Sequence, residues 1–331
     1  MDIALSQAPE PSVNLPEVVH SSEITQTNTK TIEELVESFI SSLDVRHSSK
    51  ALYRRTLKQY FCWIAKKGYL LSEIARPQIV EYREELLALG FSTLTVGSYI
   101  TSLKKFYEWA EANKYYPNVA KGVKLPKRNQ EFRKLHLYPD QATALLNYYR
   151  DKALRDIAII NLLLRGGLRC IEVIRANVGD ITYKKTDSGA PVRVLLVHGK
   201  GRDEKDQFIV LTDKAYKPIE EYLATRGKIR PTEPLFTSES NNSANRRLTT
   251  RTVSLIAKEG LKAIGLNSKE YTAHSLRHTA VESLRTAGGS PEQAQMFARH
   301  QSPLTTQIYY RRYITDQRLI NSGEALIDTL Y

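Results

Sequence analysis

Apolar residues recur every three or four positions through most of this chain, and the stripes they draw predict helices far more often than strands. Thr31-Ile-Glu-Glu34 reads as a capping box, after which Ile32, Leu35, Val36, Phe39 and Leu43 fall on one helical face. Tyr53, Leu57, Phe61 and Ile64 mark a second stripe, with Arg54, Arg55, Lys58 and Lys66 on the opposite side. Pro77 suits the first turn of a third helix and Gly90 its end. A fourth helix begins near Ser92 and turns Val96, Tyr99, Ile100, Leu103, Phe106 and Ala110 inward, with Lys104 and Lys105 outward. These four stripes predict a small all-α module over residues 30–115.

The pattern then lapses. Residues 116–134 string Lys121, Lys124, Lys127 and Arg128 between prolines and a glycine, which predicts a basic linker able to follow a phosphate backbone. Beyond it, helices are predicted near Asp140–Tyr149 and Lys152–Leu164, the second broken by Gly166-Gly167 so that Arg169 is delivered at a turn. Alternation predicts strands at Asp180–Tyr183, Val192–His198 and Gln207–Leu211, with Gly199-Lys200-Gly201 as a hairpin tip that presents Lys200. Helical spacing returns at Thr250–Ile264, His274–Thr286 and Pro291–Ala298, and in a short segment leading to Tyr309. Residues 1–29 hold Asp2, Glu10, Glu17 and Glu23, no Lys or Arg, and many Pro, Ser and Thr, which predicts a disordered arm.

A length of 331 residues leaves room for two cores, and the formal charge of +12 attracts polyanions. Lysines and arginines on one side of a helix are ordinarily only solvated, so the helix faces alone decide nothing. The basic linker shifts the balance toward DNA. Cys62 and Cys170 are too far apart to suggest a zinc site or a disulfide framework, which fits a reducing compartment. The apolar run Ile157–Leu164 is too short to span a bilayer and no basic leader stands at Met1, so a cytoplasmic protein without a membrane partner is expected.

The chemistry concentrates in His274-Ser-Leu-Arg277-His278-Thr279, His300 and the pair Tyr309-Tyr310. His274 and His278 have the spacing of a metal pair, but Arg277 would set a permanent cation beside the ion, and Ser275 stands where a zinc-hydrolase helix needs glutamate. Gly199-Lys200-Gly201 lacks the flanking residues of a phosphate loop, so nucleotide binding is not expected. What remains suits a phosphodiester. Two guanidiniums, Arg169 and Arg277, can neutralise the charge that gathers on its non-bridging oxygens, and a phenol can attack the phosphorus. His278 reads as a core histidine supporting the turn that carries Arg277; His274 does not.

These motifs resemble the tyrosine recombinases, the family of phage-type integrases, Xer recombinases and Cre-like enzymes. Gly166-Gly167-Leu168-Arg169-Cys-Ile-Glu172 matches the family's first motif and Lys200 its hairpin lysine. His274, Leu276, Arg277, His278 and Thr279 match its His-x-Leu-Arg-His-Thr box, and Tyr309 follows His300 at the family's spacing of nine. The resemblance covers about 140–312 and implies a mostly α fold with a small β-sheet: a four-helix, SAM-like core-binding domain over 30–115, then a catalytic domain over 135–311.

It further implies a site-specific recombinase that cleaves and rejoins DNA through a 3′-phosphotyrosine, with strand exchange through a Holliday junction and no cofactor or metal. Tyr309 would be the nucleophile, with Arg169, Lys200, His274, Arg277 and His300 catalytic and Glu172 and His278 supporting. Arg54, Arg55, Lys58, Lys104, Lys105, Lys121, Lys124, Lys127 and Arg128 would bind DNA. A homo-tetramer would act on paired recombination sites, with a possible accessory directionality factor, and the tail 312–331 would dock on a neighbouring subunit. A type IB topoisomerase would share the chemistry without pairing sites. A silent DNA-binding regulator would share the fold alone. Integration, resolution and inversion stay open.

Two positions depart from the family. Arg299 replaces the glycine before His300, so the turn there is expected to need another backbone solution, and Tyr310 is a rival to Tyr309. A helix rotates neighbouring residues about 100° apart, so only one of the two can face the site.

Overall fold

Thr31 starts the first helix as its spacing requires: its Oγ1 accepts from the Glu34 amide at 3.2 Å, and the Glu34 carboxylate accepts from the Thr31 amide at 2.8 Å. In this computed structural model the described residues are 31–127, 135–198, 204–240, 245–307, 309–310, 323–328 and 330. The chain divides into two units, Met1–Glu131 and Phe132–Tyr331.

Four helices build the first unit: α1 (Ile32–Ser42), α2 (His47–Lys67), α3 (Arg76–Ala88) and α4 (Thr93–Ala112). Left-handed Gly68 ends α2, Pro77 lies in the first turn of α3, and the Ser92 hydroxyl caps α4. The inward stripes meet in one core that includes Phe39, Leu57, Tyr60, Ile64, Ile79, Tyr82, Ile100 and Phe106. Arg55, Lys58 and Lys105 are exposed and Lys104 is half-buried. Arg54 is exposed but engaged, its Nε and Nη2 donating to the Glu37 carboxylate at 2.5 and 2.7 Å. Lys121, Lys124 and Lys127 are exposed on a segment strapped to α3, where Arg76 and Arg83 donate to the Gly122 and Lys124 carbonyls at 3.1 and 2.7 Å. The arm 1–29 and Arg128 lie outside the described residues.

The second unit is arranged around α6 (Leu154–Arg165), which is apolar on nearly every side and therefore runs through the interior. Helices α5 (Pro139–Tyr149), α8 (Asp213–Ala224), α9 (Thr250–Ala263) and α10 (Ala273–Thr286) pack against it. A short α7 (Cys170–Arg175) leads into an antiparallel meander of β1 (Ile181–Lys185), β2 (Pro191–Val197) and β3 (Gln207–Val210). Ile181 pairs with Leu195, and Val194 with Val210. Helix α11 (Pro291–Ala298) follows α10, residues 303–307 are helical again, and α12 (Gly323–Ile327) lies near the end.

Helix α8 was not expected. Pro218 sits inside it, where its ring removes the bond to Lys214 and masks a stripe of Ala215, Ile219 and Tyr222 that is buried in the structure. Lys200 and residues 311–322 lie outside the described residues, whereas Ile327 and Leu330 of the expected docking tail are exposed.

Candidate active site

The site is assembled where two chain reversals meet helix α10. At the first, Gly167 adopts φ +57° and packs so closely on Phe297 that a Cβ would lie 2.8 Å from its ring. Only glycine fits there, and the reversal sets Arg169 immediately before α7. Glu172, in the first turn of α7, accepts from the Arg169 amide at 2.8 Å and from Arg169 Nη1 at 2.6 Å. A carboxylate at a helix N-terminus is doubly favoured, by the free amide and by the helix dipole.

Helix α10 supplies the second group. Its buried face presents Arg277, 2 % exposed, which donates through Nη1 to the Gly167 carbonyl at 2.5 Å and through Nη2 to the Ala298 carbonyl. One turn of backbone thus holds Arg277 beside Arg169. The Thr279 hydroxyl accepts from the Leu137 amide at 2.8 Å and anchors the start of the unit to the same helix. His278 is buried, and its Nδ1 meets the Tyr309 hydroxyl. His278 is thus buried as a core histidine should be, and its ring in addition contacts the expected nucleophile 31 residues away. His274 is exposed, with its ring edge-on to His278 at 4.6 Å.

The second reversal follows α11. Arg299 ends that helix at φ 53°, ψ 46°, the left-handed conformation a glycine would have taken. The expectation of a different backbone solution is therefore wrong. The turn is one that glycine would make freely, and with a Cβ present the backbone is strained by about 1 kcal/mol or more. His300 comes next, its Nδ1 within 2.9 Å of the Thr306 hydroxyl and its ring 6.4 Å from that of Tyr309. Tyr310 turns the other way and donates to the Gly289 and Ser290 carbonyls at 2.8 and 3.0 Å.

Arg169, Glu172, His274, Arg277, His278, His300 and Tyr309 therefore come together, while Lys200 lies outside the described residues. Sequence reasoning missed two members. Thr306 holds His300, and the Arg299 guanidinium reaches Glu172 Oε2 at 3.0 Å. An arginine where a turn needs only a glycine was the available signal for the second.

Electrostatics follow from burial among cations. Burial alone would raise the Glu172 carboxyl, but Arg299, the Arg169 amide, Arg277 and Arg169 outweigh it and hold it ionised. Burial, then Arg169 and Arg299, lowers Arg277 to about 9, which still leaves it cationic at neutral pH. Burial, then His274 and Arg277, lowers His278 to about 3, and burial, then Arg277 and Arg169, lowers His300 to about 3. Both rings are neutral at pH 7. Burial raises the Tyr309 phenol, partly opposed by Arg277.

A stability consequence follows. The unfolded chain binds a proton at each histidine near pH 6.5, whereas the folded site resists until about pH 3. Stability is then fully present above pH 6.5 and falls as the pH drops toward 3, by up to about 1.4 kcal/mol per pH unit for His278. Thermal melts of the full chain should show this slope between pH 6.5 and 5, reduced in His278→Gln. Parallel profiles for the two proteins would contradict the assignment.

Guanidiniums, neutral imidazoles and a phenol grouped on a helical scaffold define a tyrosine-type DNA strand transferase. Residues 136–315 match the Phage integrase family, and residues 32–114 match the phage integrase N-terminal SAM-like domain. The chain belongs to this family, the tyrosine recombinases, and is a site-specific recombinase of the Xer-like kind. It is 30% identical to Tyrosine recombinase XerC of Pelobacter propionicus, over 78% of this chain and 83% of that one. To Tyrosine recombinase XerD of Rickettsia conorii it is 26% identical, over 84% of this chain and 92% of the relative. Its fold is similar to that of the XerH site-specific recombinase in a post-cleavage complex with a palindromic difH substrate. That match has a TM-score of 0.67 at 18% identity and covers 88% of this chain and 84% of that one. No described helix is long and apolar enough to cross a membrane.

Proposed function

We propose that the protein cuts and rejoins recombination-site DNA through a covalent 3′-phosphotyrosine at Tyr309. The observation that carries this reading is the Tyr309 hydroxyl against His278 Nδ1, on the same side of the unit as Arg169 and Arg277. In the step inferred, the Tyr309 oxygen bonds to phosphorus and the bond from phosphorus to the 5′ oxygen breaks. The phenolic proton passes to an imidazole, and neutral His278 is the nearest candidate. Arg169 and Arg277 neutralise the growing charge on the non-bridging oxygens, and exposed His274 and half-buried His300 donate to the same oxygens. The 5′ oxygen is a poor leaving group and takes a proton from Lys200. General acid help of this kind is worth about two to four powers of ten.

The bond energy stays in the phosphotyrosine, so the 5′ hydroxyl of another strand reverses the step without ATP, metal or cofactor. Four copies on two duplexes would exchange strands in pairs through a Holliday junction, with the tail 312–331 docked on a neighbour and an accessory factor setting direction. The substrate would be duplex DNA in a bacterial cytoplasm or nucleoid. Arg55, Lys58, Lys104, Lys105, Lys121, Lys124 and Lys127 would grip its backbone; Arg54 must first leave Glu37, an exposed pair of little strength.

A nicked duplex carrying the cognate site tests the reading, because cleavage near the nick releases a short fragment and traps the protein on DNA. Digestion and mass spectrometry should find the nucleotide on the peptide containing Tyr309. A modified peptide elsewhere, or none, refutes it.

A further inference from the structure

The Arg299 guanidinium has no evident place in the reaction just described, yet it lies at the centre of the site's charge network. Its residue is 6 % exposed. Nη1 donates to the Phe297 carbonyl at 2.8 Å, and Nη2 reaches the Gly167 carbonyl at 3.2 Å and Glu172 Oε2 at 3.0 Å. A turn needs no such side chain. Glycine takes the left-handed backbone without strain, so an arginine there persists because its guanidinium is held.

What it holds is the carboxylate that positions Arg169. Glu172 Oε1 receives Arg169 Nη1 at 2.6 Å, while Oε2 receives Arg299 at 3.0 Å and the Arg169 amide at 2.8 Å. Arg277 Nη1 stays 3.9 Å from the same Oε2, bonded instead to Gly167. Were Arg299 absent, Arg277, 3.9 Å away, would be a cation within reach of that oxygen, while Arg169 already serves Oε1. A buried carboxylate without a full set of donors is costly, so Arg277 would be drawn toward it and away from phosphate. The charge balance points the same way. Three guanidiniums around one carboxylate leave a surplus of two positive charges, matching the two negative charges on phosphorus when five oxygens surround it.

We propose that Arg299 is a positioning residue for strand cleavage: it occupies Glu172 so that this carboxylate fixes Arg169 without claiming Arg277. Arg299 does not touch the DNA in this scheme. It acts through Glu172, and the inference rests on the reading of Tyr309 as nucleophile.

The test is single-turnover cleavage of a nicked cognate duplex by the full chain, with Arg299→Gly and Arg299→Lys each made alone and with Glu172→Gln. Glycine keeps the left-handed turn and the placing of His300 while removing the charge, and lysine keeps the charge. Arg299→Gly should bind DNA as wild type does and melt lower, since Glu172 loses a buried partner, yet remain folded and cleave about 10- to 100-fold more slowly. Arg299→Lys should recover part of that loss. In the Glu172→Gln background, Arg299→Gly should change the rate by less than about threefold, since both substitutions break one contact.

Cleavage by Arg299→Gly within threefold of wild type overturns the proposal, as does an equal loss in both backgrounds. If Arg299→Gly fails to fold, Arg299→Asn, which also tolerates the left-handed backbone, gives the same two readouts. Absence of any wild-type adduct would instead refute the assignment of Tyr309, so the two failures are separable.

Discussion

Tyr309→Phe should abolish covalent attachment to DNA, lowering single-turnover cleavage by at least about 10⁴-fold, while Tyr310→Phe should leave cleavage within a fewfold of wild type. The two phenols are adjacent in sequence and opposed in surroundings. Tyr309 turns its hydroxyl to His278, among Arg169, Arg277 and His300, and burial keeps it a neutral phenol while no phosphate is bound. Tyr310 is 5 % exposed, packed with Val281, Ala294 and Ala298, and its hydroxyl is engaged by two carbonyls. Removing that hydroxyl should therefore cost about 1 kcal/mol of stability and nothing in chemistry. Adduct formation on a nicked site, resolved by denaturing gel, measures both variants. An adduct surviving Tyr309→Phe would remove Tyr309 from the mechanism.

The parts of this picture that were legible in the sequence are local. Residues one turn apart on α10 share a face whatever else the chain does, so Arg277 could be placed with the imidazoles from spacing alone. The strands could be read because apolar positions alternate between recognisable turns, and the four-helix unit because each stripe has a capping or breaking residue at one end at least, Thr31, Gly68, Pro77 and Ser92. Helix α8 escaped because Pro218 is a breaker by rule, and only the surrounding packing overrides it.

Long-range contacts were not legible. Arg299 meets Glu172 across 127 residues, and His278 meets Tyr309 across 31, so neither pairing leaves a periodic trace. The left-handed arginine misled for a specific reason. A glycine-to-arginine exchange normally argues that the backbone has changed, and here Arg299 takes the left-handed conformation that suits glycine, at the expense of strain, while its guanidinium has a buried partner. A departure from a motif thus carried more information about the site than the matching positions did.

Arg277→Ala should lower cleavage by about 10²- to 10³-fold, equivalent to about 3 kcal/mol, with affinity for the site changed only a fewfold. In the proposed reading affinity would reside in the exposed lysines and arginines of the first unit, whereas Arg277 is enclosed and would meet a single phosphate. The same substitution should also destabilise the catalytic unit. Arg277 is a donor to both the Gly167 and Ala298 carbonyls; Gly167 keeps Arg299 as a donor, but Ala298 loses the Arg277 bond, and an acceptor left buried without a partner costs about 1–3 kcal/mol.

Arg277→Lys separates the two effects. One ammonium keeps the charge but cannot span two carbonyls and a phosphate with a fixed fork of donors, so its cleavage should remain far below wild type even where its melting temperature recovers. Glu172 would keep Arg169 and Arg299 as partners in either variant, so the remaining network does not collapse with Arg277. Single-turnover rates, gel-shift affinities and thermal melts on the same preparations decide the matter. Cleavage by Arg277→Ala within tenfold of wild type would mean that the buried guanidinium is a structural clasp and that the phosphate is neutralised by other groups.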